Sequence, residues 1–214
     1  MGTYLTFIPF VNRQDLLLRA LASIKEMWPR TLVIDNSETR ELSSANLPVR
    51  VFTPPVPLDF AQSQNLMQLL TFDGNCDFYF FMHADAEAQS QTAQKLLELI
   101  AGLPADWGLV LTNGDAFCAF NVSAVKTVGK WDWRGLNWYF SDKDYYRRIK
   151  LAGFKTIESG LAVNHTPSQT RAADGEIEMV VNAQLTAANT YYIFKWGGPP
   201  GKEIFLSPFN REAA

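Results

Sequence analysis

The residues best suited to chemistry in this chain stand in one short stretch, where Phe78-Tyr79-Phe80-Phe81-Met82 runs into His83-Ala84-Asp85-Ala86-Glu87. An unbroken apolar and aromatic run suits a strand buried on both faces, and ionisable side chains then follow at alternate positions. In an open α/β sheet, ligands bind in the crevice beyond the carboxyl ends of the strands, so His83, Asp85 and Glu87 are predicted at the mouth of such a crevice. Asp85 suits a divalent cation held against a phosphate, because a hard cation takes carboxylate oxygen and keeps waters and substrate phosphates as its other ligands. The plainer alternative is that these acids cap the next helix.

The flanking pattern supplies elements that can position this stretch. Residues 4–9 form a β-type run, and Asn12-Arg13-Gln14-Asp15 looks like a capped helix start. Leu17, Leu21, Ile24 and Trp28 then recur at helical spacing until Pro29 ends the helix. Short strands are predicted at 31–34 and 49–52, a helix at 59–70, and the organising strand at 76–82. A helix capped by Ser90 and stopped by Gly102 follows, then strands at 107–111 and 116–120 around the turn Thr112-Asn113-Gly114-Asp115. A helix over 142–151, strands at 154–157 and 161–163, and an amphipathic helix from 177 to about 193 complete the pattern. Strands alternating with helices at this spacing predict an α/β fold that starts as a parallel sheet with right-handed crossovers.

Composition narrows the function classes. With 214 residues, 47% hydrophobic and 19% charged, the chain can bury a sizeable core and does not have the profile of a disordered protein. A net charge of -3 supplies no field for sequence-independent nucleic-acid binding, although a local basic groove stays open. Cys76 and Cys118 have neither metal-ligand spacing nor a disulfide framework, which suits a reducing compartment. No run is long and apolar enough for a transmembrane segment and the start lacks the signature of a signal peptide, so a cytoplasmic location is expected. Between 131 and 146 the chain concentrates Trp131, Trp133, Trp138, Tyr139, Phe140, Tyr145 and Tyr146. Such aromatics stack on sugar rings or bases, and they equally build cores.

Taken in order, these signals resemble a glycosyltransferase of family 2, the nucleotide-sugar-dependent enzymes with the GT-A fold. The resemblance covers roughly residues 4–166. Pro9-Phe10-Val11-Asn12-Arg13 is similar to the family's P-x-x-N-R opening, and Val33-Ile34-Asp35-Asn36-Ser37 to its V-V-D-N-S. Met82-His83-Ala84-Asp85 takes the place of the DxD motif. Val128-Gly129-Lys130-Trp131-Asp132, then Phe140 to Arg148, then Ala152-Gly153-Phe154 resemble G-G-F-D, E-D-x-D-x-x-x-R and A-G-Y. Two departures stand out: His83 occupies the first Asp position of DxD, and Ser141 replaces the Glu before the base.

The resemblance implies a single-domain α/β fold with a mixed, mostly parallel sheet flanked by helices, its GT-A core over 1–166 and a C-terminal helical extension over 167–214 packed on it. It further implies an inverting, metal-dependent transfer of a sugar from UDP- or another NDP-sugar to an acceptor glycan or other hydroxyl compound, a modified DNA base included. Asp85 and His165 would ligate a divalent cation, Mn2+ or Mg2+, and imidazole in the set favours Mn2+. Pro9, Asn12, Arg13, Asp35, Asn65, His83, Ala84 and Gly114 would bind the donor, with Asp35 on the nucleobase. Asp142 would be the general base, and Trp131, Asp132 and Trp138 are the acceptor-side candidates. Each has a structural alternative: Asp142 caps a helix, Asp35 forms a turn, and His165 makes a hydrogen bond beside Pro167. The competing functional class is a non-catalytic nucleotide- or sugar-binding module of the same fold.

Overall fold

The computed structural model describes residues 2–166 and 175–211. Its main sheet has seven strands: β1 (Tyr4–Phe10), β2 (Thr31–Asp35), β3 (Arg50–Phe52), β4 (Phe78–Met82), β6 (Trp107–Thr112), β7 (Gly114–Asn121) and β8 (Lys155–Glu158). The order is β3-β2-β1-β4-β7-β6-β8, parallel throughout except for β7, which runs antiparallel to both its neighbours. The expected mixed, mostly parallel sheet is therefore present. A separate two-stranded ribbon pairs β5 (Ala86–Ala88) with β9 (Val163–His165).

Every residue of β4 is buried, as its apolar run requires. Because side chains alternate along a strand, Phe78, Phe80 and Met82 enter one core and Tyr79 and Phe81 the other. The first core is covered by α1 (Gln14–Ala22) through Leu17, Ala20 and Leu21, and by α3 (Thr92–Ala101) through Ala93, Leu96 and Ile100. The second is covered by α2 (Phe60–Asp73), α4 (Val122–Val128) and α5 (Ser141–Leu151), through Met67, Val125, Tyr145 and Ile149.

The local chemistry differs from expectation at several ends. Asp59 caps α2 in a capping box with Gln62, whose backbone N–H donates to Asp59 Oδ1 at 2.7 Å. No such cap starts α1, which begins after Arg13 in the left-handed region at φ 63°, nor α3 or α5, which follow Gln91 and Phe140 in the same conformation. The helix read through Trp28 stops at Ala22, and a 3₁₀ segment, Lys25–Arg30, continues with Pro29 inside it. Pro29 lacks an N–H but the tighter turn at a helix end tolerates it. The ribbon strand β5 and the short helix α4 had no counterpart in the sequence pattern.

The last helix, α6 (Gly175–Trp196), spans the predicted 177–193 and more. Its C-terminal half is anchored by Ala188, Tyr192 and Trp196, which bury with Leu136 in a third cluster. Among the described residues, no helix is long and apolar enough to cross a membrane.

Candidate active site

The residues that follow β1, β2 and β4 gather at one edge of the sheet because those strands are parallel. A cleft of about 690 Å³ opens there, lined by Pro9, Asn36, His83, Ala84, Asp85, Gly114, Trp138, Asp142 and His165 among others. This is the crevice position expected of an open α/β sheet.

Asp85 and His165 are 80 residues apart and meet because the ribbon pairs Ala86 with His165. His165 Nε2 lies 3.1 Å from Asp85 Oδ1, and both side chains are largely buried. The His83 backbone is fixed by its main-chain N–H, which donates to the Ala116 carbonyl at 3.0 Å. The His83 ring stacks on that of His165 at 4.9 Å and on Phe60 at 6.4 Å.

Burial pushes the His83 imidazole below its ordinary range, against the pull of the nearby Asp115 carboxylate. The shift favours the neutral form, in which a histidine can ligate a metal. Burial alone would raise the Asp85 carboxyl; the hydrogen bond with His165 and the two imidazoles outweigh it and hold the group below its usual value.

The donor atoms of His83, Asp85 and His165 all lie within 4.8 Å of one another. Around an octahedral ion with bonds of about 2.1 Å, neighbouring ligands stand about 3 Å apart and opposite ones about 4.2 Å. The 3.1 Å pair of Asp85 and His165 suits neighbouring ligands and His83 stands close enough to join them, so the residue types and their proximity fit one divalent cation. Two imidazoles and one carboxylate suit a divalent first-row transition ion better than Mg2+, which prefers an oxygen shell.

Asp142 sits in the first turn of α5 and lines the same cleft. Its Oδ2 pairs with Lys143 Nζ at 3.1 Å while the side chain keeps 23% exposure, so it remains open to a ligand. The N-cap of α5 is Phe140 and makes no side-chain cap, so Asp142 does not have the capping role that was its alternative.

Other predicted positions lie elsewhere. Trp131 is not an acceptor platform: it is buried in the second core, stacked on Tyr145 at 4.2 Å between planes only 3° apart. Asn65 is turned to the same place, donating to the Trp131 carbonyl at 3.1 Å and accepting its N–H at 2.8 Å. Asp132 accepts from Lys195 at 2.6 Å and from Tyr191 at 2.9 Å, away from the cleft lining. Arg13 is exposed and makes two 2.8 Å bonds to Asp15, and Asn12 lies half-buried in the preceding turn, outside the cleft lining. Asp35 is buried and turned into its own loop, accepting from Ser37 N–H at 3.0 Å, from the Ser37 hydroxyl and from Leu42 N–H at 3.2 Å. Its neighbour Asn36 is the residue of that strand end that reaches the cleft. Glu87, expected at the crevice mouth, is exposed on the ribbon.

Sequence reasoning missed Asp115, Phe60 and Tyr139, which also line the cleft. Asp115 had a signal, an acid directly after a turn glycine between two strands. Gly114 adopts φ +60°, a conformation costly for residues with a side chain, and this carries Asp115 to the cleft edge.

No protein-family model matches the chain, and no curated protein sequence matches it. Solved structures do match in fold. Mannosyltransferase PcManGT from Pyrobaculum calidifontis, in complex with GDP-Man and Mn2+, aligns with TM-score 0.63 and 13% identity over 93% of this chain and 66% of that one. GalNAc-T7 with UDP, GalNAc and Mn2+ aligns with TM-score 0.58 and 12% identity over 91% of this chain and 51% of that one. S. aureus TarS aligns with TM-score 0.57 and 11% identity over 85% of this chain and 39% of that one. This chain thus spans from 39% to 66% of the length of these structures. The seven-stranded architecture around the cleft is the GT-A fold that these nucleotide-sugar glycosyltransferases share.

Proposed function

We propose that this chain is an inverting glycosyltransferase that moves a sugar from a nucleoside-diphosphate sugar to an acceptor hydroxyl with the help of a divalent cation. The observation that carries this is the convergence of His83, Asp85 and His165 on the wall of the cleft that also presents Asp142. Two of the fold's solved relatives contain Mn2+ together with a nucleotide or nucleotide sugar.

Asp85 and His165 would hold the cation, and His83 completes the set. When bound, such an ion supplies positive charge to the diphosphate leaving group. Phe60 lines the cleft and is only partly buried, so its ring can face the nucleoside. Asp142 receives the proton of the acceptor hydroxyl as that oxygen bonds to the anomeric carbon. The bond from that carbon to the phosphate oxygen breaks, and the nucleoside diphosphate leaves with the electron pair. Attack opposite to the leaving group inverts the anomeric centre.

The test is Asp142→Asn. Asn keeps the size of the side chain and cannot accept the proton, so transfer should fall by roughly 10² to 10⁴-fold while nucleotide binding is unchanged. Asp144 is the control for position, since its carboxylate points into the structure and pairs with Arg148 at 2.9 Å and Lys195 at 2.7 Å. Asp144→Asn should act through stability. Wild-type turnover in Asp142→Asn, or retained anomeric configuration by NMR, contradicts the assignment. A non-catalytic binding module would release no nucleoside diphosphate from any donor.

A further inference from the structure

The outer face of α6 is built unlike a solvent face. Val181, Ala188, Tyr192 and Trp196 recur at helical spacing and all four are buried. Met179, Val180, Ala183, Ala187, Thr190 and Phe194 lie on the side of the helix away from them, and every one of these is exposed. Between Met179 and Phe194 the sequence holds no Asp, Glu, Lys or Arg. A helix on a protein surface ordinarily carries charge on its outer face, so an uncharged one is suited to being covered. The Thr190 hydroxyl is already spent within the helix, donating to the Thr186 carbonyl at 3.0 Å, so covering it strands no donor.

The stripe is also complementary to itself. It runs about 24 Å along the helix, with small residues in the middle and the large Met179 and Phe194 at its ends. Two copies laid antiparallel about a two-fold axis near Ala187 bring Met179 of one against Phe194 of the other, a thioether against a ring. Ala183 then meets Thr190, where small side chains let the helices approach. The charges at the two ends agree with that direction. Glu176 is exposed one turn before Met179, whereas exposed Arg211 lies over the Phe209 ring, which packs against Phe194 at 5.6 Å. Antiparallel pairing therefore sets an acid of each copy near a cation of the other, and parallel pairing would set like against like. A lipid surface is the weaker match, because helices that lie on membranes carry Lys and Arg on their polar flank and α6 opens on Glu176 and Glu178.

We propose that the outer face of α6 is a dimer interface, on which a second copy of this chain docks by antiparallel, two-fold pairing of the two helices. A single helix stripe is small beside the roughly 800 Å² that each partner of a stable complex buries, so the dimer is reversible and forms as concentration rises. Val181, on the inner side of the same helix, lines the candidate active cleft, so the pairing would brace one wall of that cleft. The inference holds whatever reaction the cleft performs.

Sedimentation velocity of the full chain, from about 1 to about 200 µM, reads the dimer directly. The wild type should pass from monomer to dimer across that range. Ala187→Lys sets two cations across the axis and should weaken dimerisation about tenfold or more, while the melting temperature of the dilute monomer stays the same. Glu176→Arg and Arg211→Glu should each weaken it and together restore it, because both residues are exposed and the double variant exchanges the charges between copies. A wild type that stays monomeric throughout, a dimer indifferent to Ala187→Lys, or charge variants that do not restore each other overturns the proposal. So does a monomer that binds phosphatidylcholine–phosphatidylglycerol vesicles and releases them in Ala187→Lys, which would assign the face to lipid.

Discussion

At the scale of single residues, the difference between Trp131 and Trp138 is the most instructive. Both belong to one aromatic-rich segment, yet Trp131 is sealed in the core and Trp138 lines the cleft. Trp131→Ala should destabilise the protein by about 3 to 5 kcal/mol, read from denaturant unfolding. Trp138→Ala should cost much less stability and lower ligand affinity instead. The sequence could not separate them, because composition reports a side chain's type and not the direction in which the backbone aims it. The same gap explains Asn65 and Asp35, whose types suit a ligand but whose hydrogen bonds are spent inside the protein. Asp85 was legible because the buried run before it fixes where the strand ends. His165 was legible through family resemblance only; nothing in its local sequence shows the ribbon that brings it to Asp85.

At the scale of elements, the sheet and most helices follow from periodicity, while their ends depend on backbone conformations that residue types did not announce. The tie between α6 and α5 is another feature visible only in three dimensions. Lys195 is buried between Asp132 at 2.6 Å and Asp144 at 2.7 Å, and Trp196 donates to Asp144 at 2.9 Å. Lys195→Met would leave Asp132 without its cation and Asp144 with Arg148 alone, so a loss of about 3 to 5 kcal/mol is expected. Burial opposes the charge on Asp132, but Lys195 outweighs it and holds the carboxyl below its ordinary value. A depressed folded pKa means that this contribution is complete above the unfolded value of about 3.9 and is lost as pH falls through the lower folded one. Stability measured against pH should therefore decline less steeply below about pH 4 in Asp132→Asn than in the wild type. The loop facing α6 is equally tight. A methyl group on Gly135 would collide with the Tyr191 ring, which is held by its bond to Asp132, so Gly135→Ala should lower the melting temperature.

For the whole molecule, the end of β4 delivers His83 and Asp85 to the cleft, the ribbon adds His165 to complete the cluster, and α5 brings Asp142 to the same cleft. The account stands on that cluster holding a divalent cation against a diphosphate. Calorimetric titration with UDP, GDP, CDP and dTDP, in Mn2+ and then in excess chelator, tests it most directly, with Asp85→Ala alongside. At least one nucleotide should bind about tenfold or more tightly with Mn2+ than with chelator, and Asp85→Ala should abolish the difference. Equal affinity with Mn2+ and with chelator, or a metal dependence that survives Asp85→Ala, would contradict it.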